Sequence, residues 1–97
     1  MTYNMKVNLI NPNIEEGMER EIFFDLTCDF FYDKDQYGNG HYVSIKGYRF
    51  NSEYIDLRYD KDFNRNEKDK WLETWARGYW SGKNGAWAIK TLEIIKL

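Results

Sequence analysis

The stretch REIFFDLTCDFFY, residues 20–32, places an apolar side chain at every second position. Ile22, Phe24, Leu26, Cys28, Phe30 and Tyr32 fall on one side, and Glu21, Asp25, Thr27 and Asp29 on the other. A period of two is that of a strand with one face on a core and one in water; in a helix the same residues would scatter round the axis. Phe23 and Phe31 interrupt the polar side near its two ends. Residues 3–10 repeat the period, with Tyr3, Met5, Val7 and Leu9 opposite Asn4, Lys6 and Asn8, until NPN at 11–13 stops the strand. Two further strands follow at 41–50 and 54–60, joined as a hairpin around NSE. Val43 and Ile45 alternate with Ser44 and Lys46, then the phase shifts to Tyr48 and Phe50, so Gly47 marks a bulge or bend. Ile55, Leu57 and Tyr59 are expected to face inward.

The period then changes once. Trp71, Leu72, Trp75, Ala76 and Tyr79 recur at helical spacing, with Lys70, Glu73, Thr74 and Arg77 opposite, which predicts an amphipathic helix over 66–81. Asn66 suits its N-cap, Glu67 and Asp69 suit its first turn, and Gly82 or Gly85 its end. Residues 86–97 read as a last strand that changes face near Thr91, the sign of a bulge or of burial on both sides. One helix with one apolar stripe covers one face of one sheet. The order β-β-β-β-α-β therefore predicts an α+β fold: a mostly antiparallel sheet of about five strands with the helix on one face, in a single domain spanning 1–97. The stretch 60–85 is long enough for a crossover, which allows the last strand to lie parallel to a neighbour. An edge at 3–10 or at 86–97 can pair two copies, so monomer and homodimer both stay open.

Charge limits the partners. With 14 basic and 16 acidic residues the chain lacks the cationic excess of a duplex-DNA binder. Cys28 is the only cysteine, so no intramolecular disulfide forms, and its place on an apolar strand face makes it a core residue rather than a reactive thiol. The N-terminus has no signal-peptide pattern, and no apolar run approaches the length of a membrane span. A soluble cytoplasmic protein, without membrane association, is the expectation.

Tyr-Asp-Lys-Asp occurs twice, at 32–35 and at 59–62. A calcium loop from Asp33 would have Tyr37 at position 5 and Ser44 at position 12; one from Asp60 would have Arg65 at position 6 and Trp71 at position 12. Both lack the bidentate acid, so Asp33, Asp35, Asp60 and Asp62 are weak metal candidates, and the motif reads as two strands ending in turns that Asp side chains cap. GYWSGK, at 78–83, has too few residues between its glycines for a phosphate loop and follows a helix where such a loop precedes one. His41 stands alone at the start of a strand. No catalytic constellation and no cofactor site emerge, so no enzyme activity is expected.

What is left is the aromatic C-terminal third, which holds all four tryptophans between 71 and 87. The helix stripe accounts for Trp71 and Trp75. Trp80 lies about 100° round from Tyr79 and is expected to be at least partly exposed. Rings beside Arg77, Lys83 and Asn84 have the composition of an interface hot spot. The expected binding set is Trp80, Arg77, Tyr79, Lys83, Asn84 and Trp87. The leading reading is a small non-catalytic protein that binds another protein as a regulator or inhibitor, of the sort phages and other mobile elements carry. The alternatives are a single-stranded nucleic-acid or RNA binder using exposed rings, and a small metal-dependent enzyme built on the Asp-rich turns.

Overall fold

The computed structural model describes residues 1–34, 39–83 and 85–97, and of Lys83 the backbone only. The described residues form five strands, β1 (Thr2–Ile10), β2 (Glu21–Asp33), β3 (Gly40–Gly47), β4 (Phe50–Asp56) and β5 (Ala88–Lys96), and one α-helix, α1 (Lys68–Lys83), between β4 and β5 in the chain. The strands form one sheet in the order β4-β3-β2-β1-β5, with every neighbouring pair antiparallel. The fold is α+β, as the two periods in the sequence require.

The alternation in β1 and β2 is realised residue by residue. Tyr3, Met5, Val7 and Leu9 are buried beside Leu26, Phe24 and Cys28, and Val43 and Ile45 extend that layer into β3. Trp71, Leu72, Ala76 and Trp80 of α1 close it from above. The opposite face of the sheet carries cross-strand polar pairs. The Asn4 amide donates to Asp25 at 2.5 Å, the Thr2 hydroxyl to Asp29 at 3.3 Å, and the Lys90 ammonium to Glu21 at 2.5 Å. Such pairs keep their hydrogen bonds at the surface, so this part of the face stays in water, while toward β3 the same face buries Tyr42 against Phe31 at 5.6 Å between ring centroids. Among the described residues no helix is long and apolar enough to cross a membrane.

Five details depart from the sequence expectation. β5 runs antiparallel to β1 instead of parallel to a neighbour. The helix does carry the chain back to the end where β4 begins, so β5 runs in the direction of β4. The return crosses the whole sheet, however, and the two strands end on opposite edges. For the same reason the segment 3–10 is internal, and only β4 and β5 are edges. The hairpin turns at Tyr48 and Arg49, before NSE, which lies inside β4. Gly47 allows this: a Cβ there would sit 2.6 Å from the Asp25 carbonyl oxygen and from Leu26 Cδ2, so only glycine fits against β2.

The inward alternation expected through Tyr59 ends at Asp56. The Asp56 carboxylate accepts the Arg58 backbone N–H at 3.1 Å and winds Leu57–Tyr59 into a 3-10 turn. Leu57 is buried, but Tyr59 is 83% exposed. The helix also starts later than Asn66. Asn64 takes the N–H of Asn66 on its side chain and that of Glu67 on its carbonyl, and the first helical bond runs from Trp71 N–H to the Glu67 carbonyl at 3.0 Å. Gly85, at φ 60, follows the helix end, while Gly82 belongs to its last turn. The change of face near Thr91 is a bulge: Thr91 pairs with Asn8 and Ile89 with Leu9, which leaves Lys90 as the extra residue.

Candidate functional site

Helix α1 presents two parallel rows of side chains spaced four apart. Leu72, Ala76 and Trp80 form the row pressed onto the sheet, and Trp71, Trp75 and Tyr79 the row beside it. Rows of this spacing run obliquely to a helix axis, so a helix lying along one of them buries it through to its last turn. This is why Trp80 is buried, at 3% exposure, where the sequence predicted an exposed ring. Small Ala76 lets the backbone approach, and the Trp80 indole reaches Phe24 of β2 at 4.6 Å between ring centroids. Trp80 therefore leaves the candidate binding set and joins the core.

The second row is a ladder of stacked rings. Trp71 and Trp75 lie 6.0 Å apart and 17° from parallel, Trp75 and Tyr79 5.1 Å apart and 26° from parallel. Phe63 meets Trp71 edge-on at one end, and Trp80 meets Tyr79 edge-on at the other. The ring faces are turned on one another, so the shallow groove along the ladder, shared with Asp60 and Asp62, is walled by ring edges. A base or sugar stacks on a face, and the ladder does not offer one to that groove. Burial, with the charge of Glu53 behind it, raises the Tyr79 pKa.

Asp60 serves the fold. Its carboxylate accepts the Trp71 indole N–H at 2.9 Å and the Asp62 backbone N–H at 2.9 Å, which fixes the turn against the helix. Asp33 ends β2 opposite Gly40, and its charge acts on Tyr42 on the sheet's other face. The acids of the two Tyr-Asp-Lys-Asp segments are thus not brought together; Asp35 lies outside the described residues. Among the described residues no group of three or more His, Cys, Asp or Glu side chains could hold a metal ion. His41 packs between the Tyr32 and Phe63 rings, at 5.3 and 5.9 Å. The Cys28 thiol is buried and its pKa is pushed up to about 11 by desolvation, which keeps it protonated and unreactive at neutral pH.

Two of the expected binding residues meet elsewhere. Arg77 and Ser81 of α1 overhang Trp87 and the first half of β5, and between them opens a cleft of about 520 Å3 lined also by Ile89, Lys90 and Leu92. Trp87 and Ile89 are partly buried against the core, so the floor is fixed while the rim stays wet. Arg77 pairs with Glu73 at 3.2 Å and Lys90 with Glu21 at 2.5 Å, both at the surface. Tyr79 stands apart from this cleft with the aromatic ladder; Asn84 and the side chain of Lys83 lie outside the described residues. The sequence reading missed Ser81, Ile89, Lys90 and Leu92. The phase change at Thr91 marks the bulge, but only the strand order, which periodicity does not carry, makes β5 an edge. The chain matches no family model, no curated protein and no solved structure.

Proposed function

We propose that this chain is a small non-catalytic protein that binds another protein, as its regulator or inhibitor, through the cleft between the C-terminal half of α1 and β5. The observation that carries the reading is the cleft itself. It combines an arginine on its rim, a half-buried tryptophan in its floor and aliphatic side chains between them. Arginine and tryptophan are over-represented among the residues that dominate protein interfaces, because each offers a large contact area with directional hydrogen bonding. A floor that belongs to the core is already ordered, so binding there costs little side-chain entropy.

The test is site-specific. A photo-crosslinking amino acid at Ser81, in the intact chain in the cells that make it, is expected to trap a protein that mass spectrometry identifies. With that protein purified, Arg77→Glu and Trp87→Ala are each expected to weaken binding about tenfold or more. Arg77 is exposed on the helix, so its variant keeps the fold; circular dichroism checks the other. A nuclease-sensitive crosslink would favour the nucleic-acid alternative and overturn the reading, as would equal affinity in both variants.

A further inference from the structure

The two edges of the sheet are built differently. β4 is short, points the carboxylate-bearing Glu53 toward the helix side opposite Ile45, and passes at once into the 3-10 turn. An inward-pointing charge on an edge strand is a device against further pairing, since a strand added beside it would bury that charge. β5 has Lys90 out of register at its start, Glu93 on the face away from the helix and Lys96 at its end, but between Ile89 and Ile94 no charge points toward the helix. From Thr91 to Lys96 it pairs with Asn8 to Tyr3 without interruption, so its far side presents main-chain N–H and C=O groups at regular strand spacing. Among the described residues no strand takes them up.

The cleft lies at the head of this free edge. Its lining includes successive residues of β5 that belong to opposite faces of the sheet: Ile89 and Leu92 on the helix side, Thr91 on the other. β1 takes up one side of β5, so the backbone that these residues share is open on the side away from β1. The helix forms its roof, so a side chain entering beside β5 on the helix side passes beneath Arg77 and Ser81 toward Trp87. On that side β5 offers Leu92 and Ile94, both partly buried. The cleft lining is cationic, with Arg77 and Lys90 and no carboxylate among the lining residues; beyond it the edge carries Glu93 on the face away from the helix and Lys96 at its far end. Arg77 and Lys90 hold their present carboxylate partners in exposed pairs, which are weak and exchange readily.

Resting on the protein-binding reading above, we propose that β5 takes an extended, acidic segment of the partner as a sixth strand. Main-chain hydrogen bonds along Thr91–Lys96 hold the segment. An apolar side chain enters the α1–β5 cleft against Trp87, Ile89 and Leu92, and flanking carboxylates meet Arg77 and Lys90. Strand addition takes its affinity from the main chain and its specificity from alternate side chains, and here the alternation is apolar toward the helix and acidic at the rim. A second copy of this chain is the poorer occupant, because two β5 strands paired antiparallel about Glu93 set Glu93 against Glu93 and Lys90 against Lys96.

The probes are a short peptide alternating glutamate and valine, its lysine–valine counterpart, and the glutamate peptide N-methylated along one edge of its backbone. Binding to the intact chain is followed by fluorescence anisotropy and by hydrogen exchange. The glutamate peptide is expected to bind in a salt-sensitive way and to slow exchange in Thr91–Lys96, while the N-methylated form, unable to pair, does not bind. The double variant Arg77→Glu, Lys90→Glu is expected to lose about tenfold or more in affinity for the glutamate peptide and to gain affinity for the lysine peptide, a swap that a misfolded variant cannot produce. Equal binding of both charge types, equal binding of the N-methylated peptide, or protection in β4 with none in β5 would each overturn the proposal. So would self-association through β5 in the sedimentation of the chain alone. If the Ser81 crosslink forms with the cellular partner and the glutamate peptide does not compete, strand addition fails and the binding cleft stands; if no crosslink forms, both fail.

Discussion

Cys28 shows how a single buried side chain couples the fold to its solvent. The thiol lies on the core side of β2 among Tyr3, Leu26 and Ile45, and desolvation lifts its pKa from 9.0 to about 11. Below pH 9 the thiol is neutral in both the folded and the unfolded chain, and its burial costs nothing in ionisation. Between pH 9 and 11 the unfolded chain has lost that proton while the folded chain still holds it. The folded state then binds more protons, so stability falls as pH rises, by about 1.4 kcal/mol per unit. Tyr3 adds a second alkaline liability: burial, with its hydroxyl donating to Asp69, holds its pKa at about 12 against an ordinary 10.0. Urea unfolding of wild type and Cys28→Ala at pH 8, 9 and 10 isolates the thiol. The two curves of stability against pH are expected to run parallel up to pH 9 and then to converge, the wild type falling faster. A constant separation through pH 10 would contradict the assignment.

At the level of elements, the β3–β4 hairpin turns on a residue type that no turn rule selects. Arg49 has φ 67, the left-handed region, and it is the only described residue other than glycine with a positive φ. A side chain with a Cβ is strained there by about 1–2 kcal/mol relative to glycine. Arg49→Gly is accordingly expected to stabilise the chain by roughly 0.5–1 kcal/mol after the entropy lost to the unfolded state, and Arg49→Ala to gain nothing. Thermal and urea midpoints measure both.

The same position explains where the sequence was legible and where it was not. Strands whose alternation is enforced by burial, β1 and β2, were readable to within a residue or so at each end. The turn at Tyr48 and Arg49 was not, because its determinant is the close packing of Gly47 on Asp25 and Leu26, a contact between strands far apart in the chain. Trp80 escaped for a related reason. Helical periodicity places it relative to Tyr79, but the angle at which the helix crosses the sheet decides which row of side chains is buried. The candidate cleft needed the strand order as well, since Arg77 and Trp87 come together only because β5 returns to the edge beside β1.

The molecule as a whole is longer than its size requires. Its Cα radius of gyration is 14.9 Å, against about 12.5 Å for a compact chain of this length, and its extents are 50 × 24 × 23 Å. One helix cannot cover both faces of a five-stranded sheet, so the far face is left open in addition to the β4 and β5 edges. Exposed rings on the far face make it the obvious rival as a binding surface: Phe23 is 69% exposed and Tyr54 56%. They stand on different parts of that face, Phe23 on β2 opposite Asn8 and Tyr54 on β4 opposite Ser44, with the Asn4–Asp25 and Thr2–Asp29 pairs in the sheet between. Among the described residues Phe23 is a single ring on that face, while Tyr54 meets Phe31 edge-on at 5.8 Å and Phe31 stacks on Tyr42 at 5.6 Å, a cluster at the β3–β4 side that does not extend to Phe23. Replacing both, Phe23→Asn with Tyr54→Ser, is therefore expected to leave affinity for the protein trapped at Ser81 within about twofold, whereas Arg77→Glu alone costs about tenfold or more. Isothermal titration on the three proteins compares the two surfaces directly. Loss of binding in the far-face variant with retention in Arg77→Glu would move the interface from the edge of the sheet to its open face.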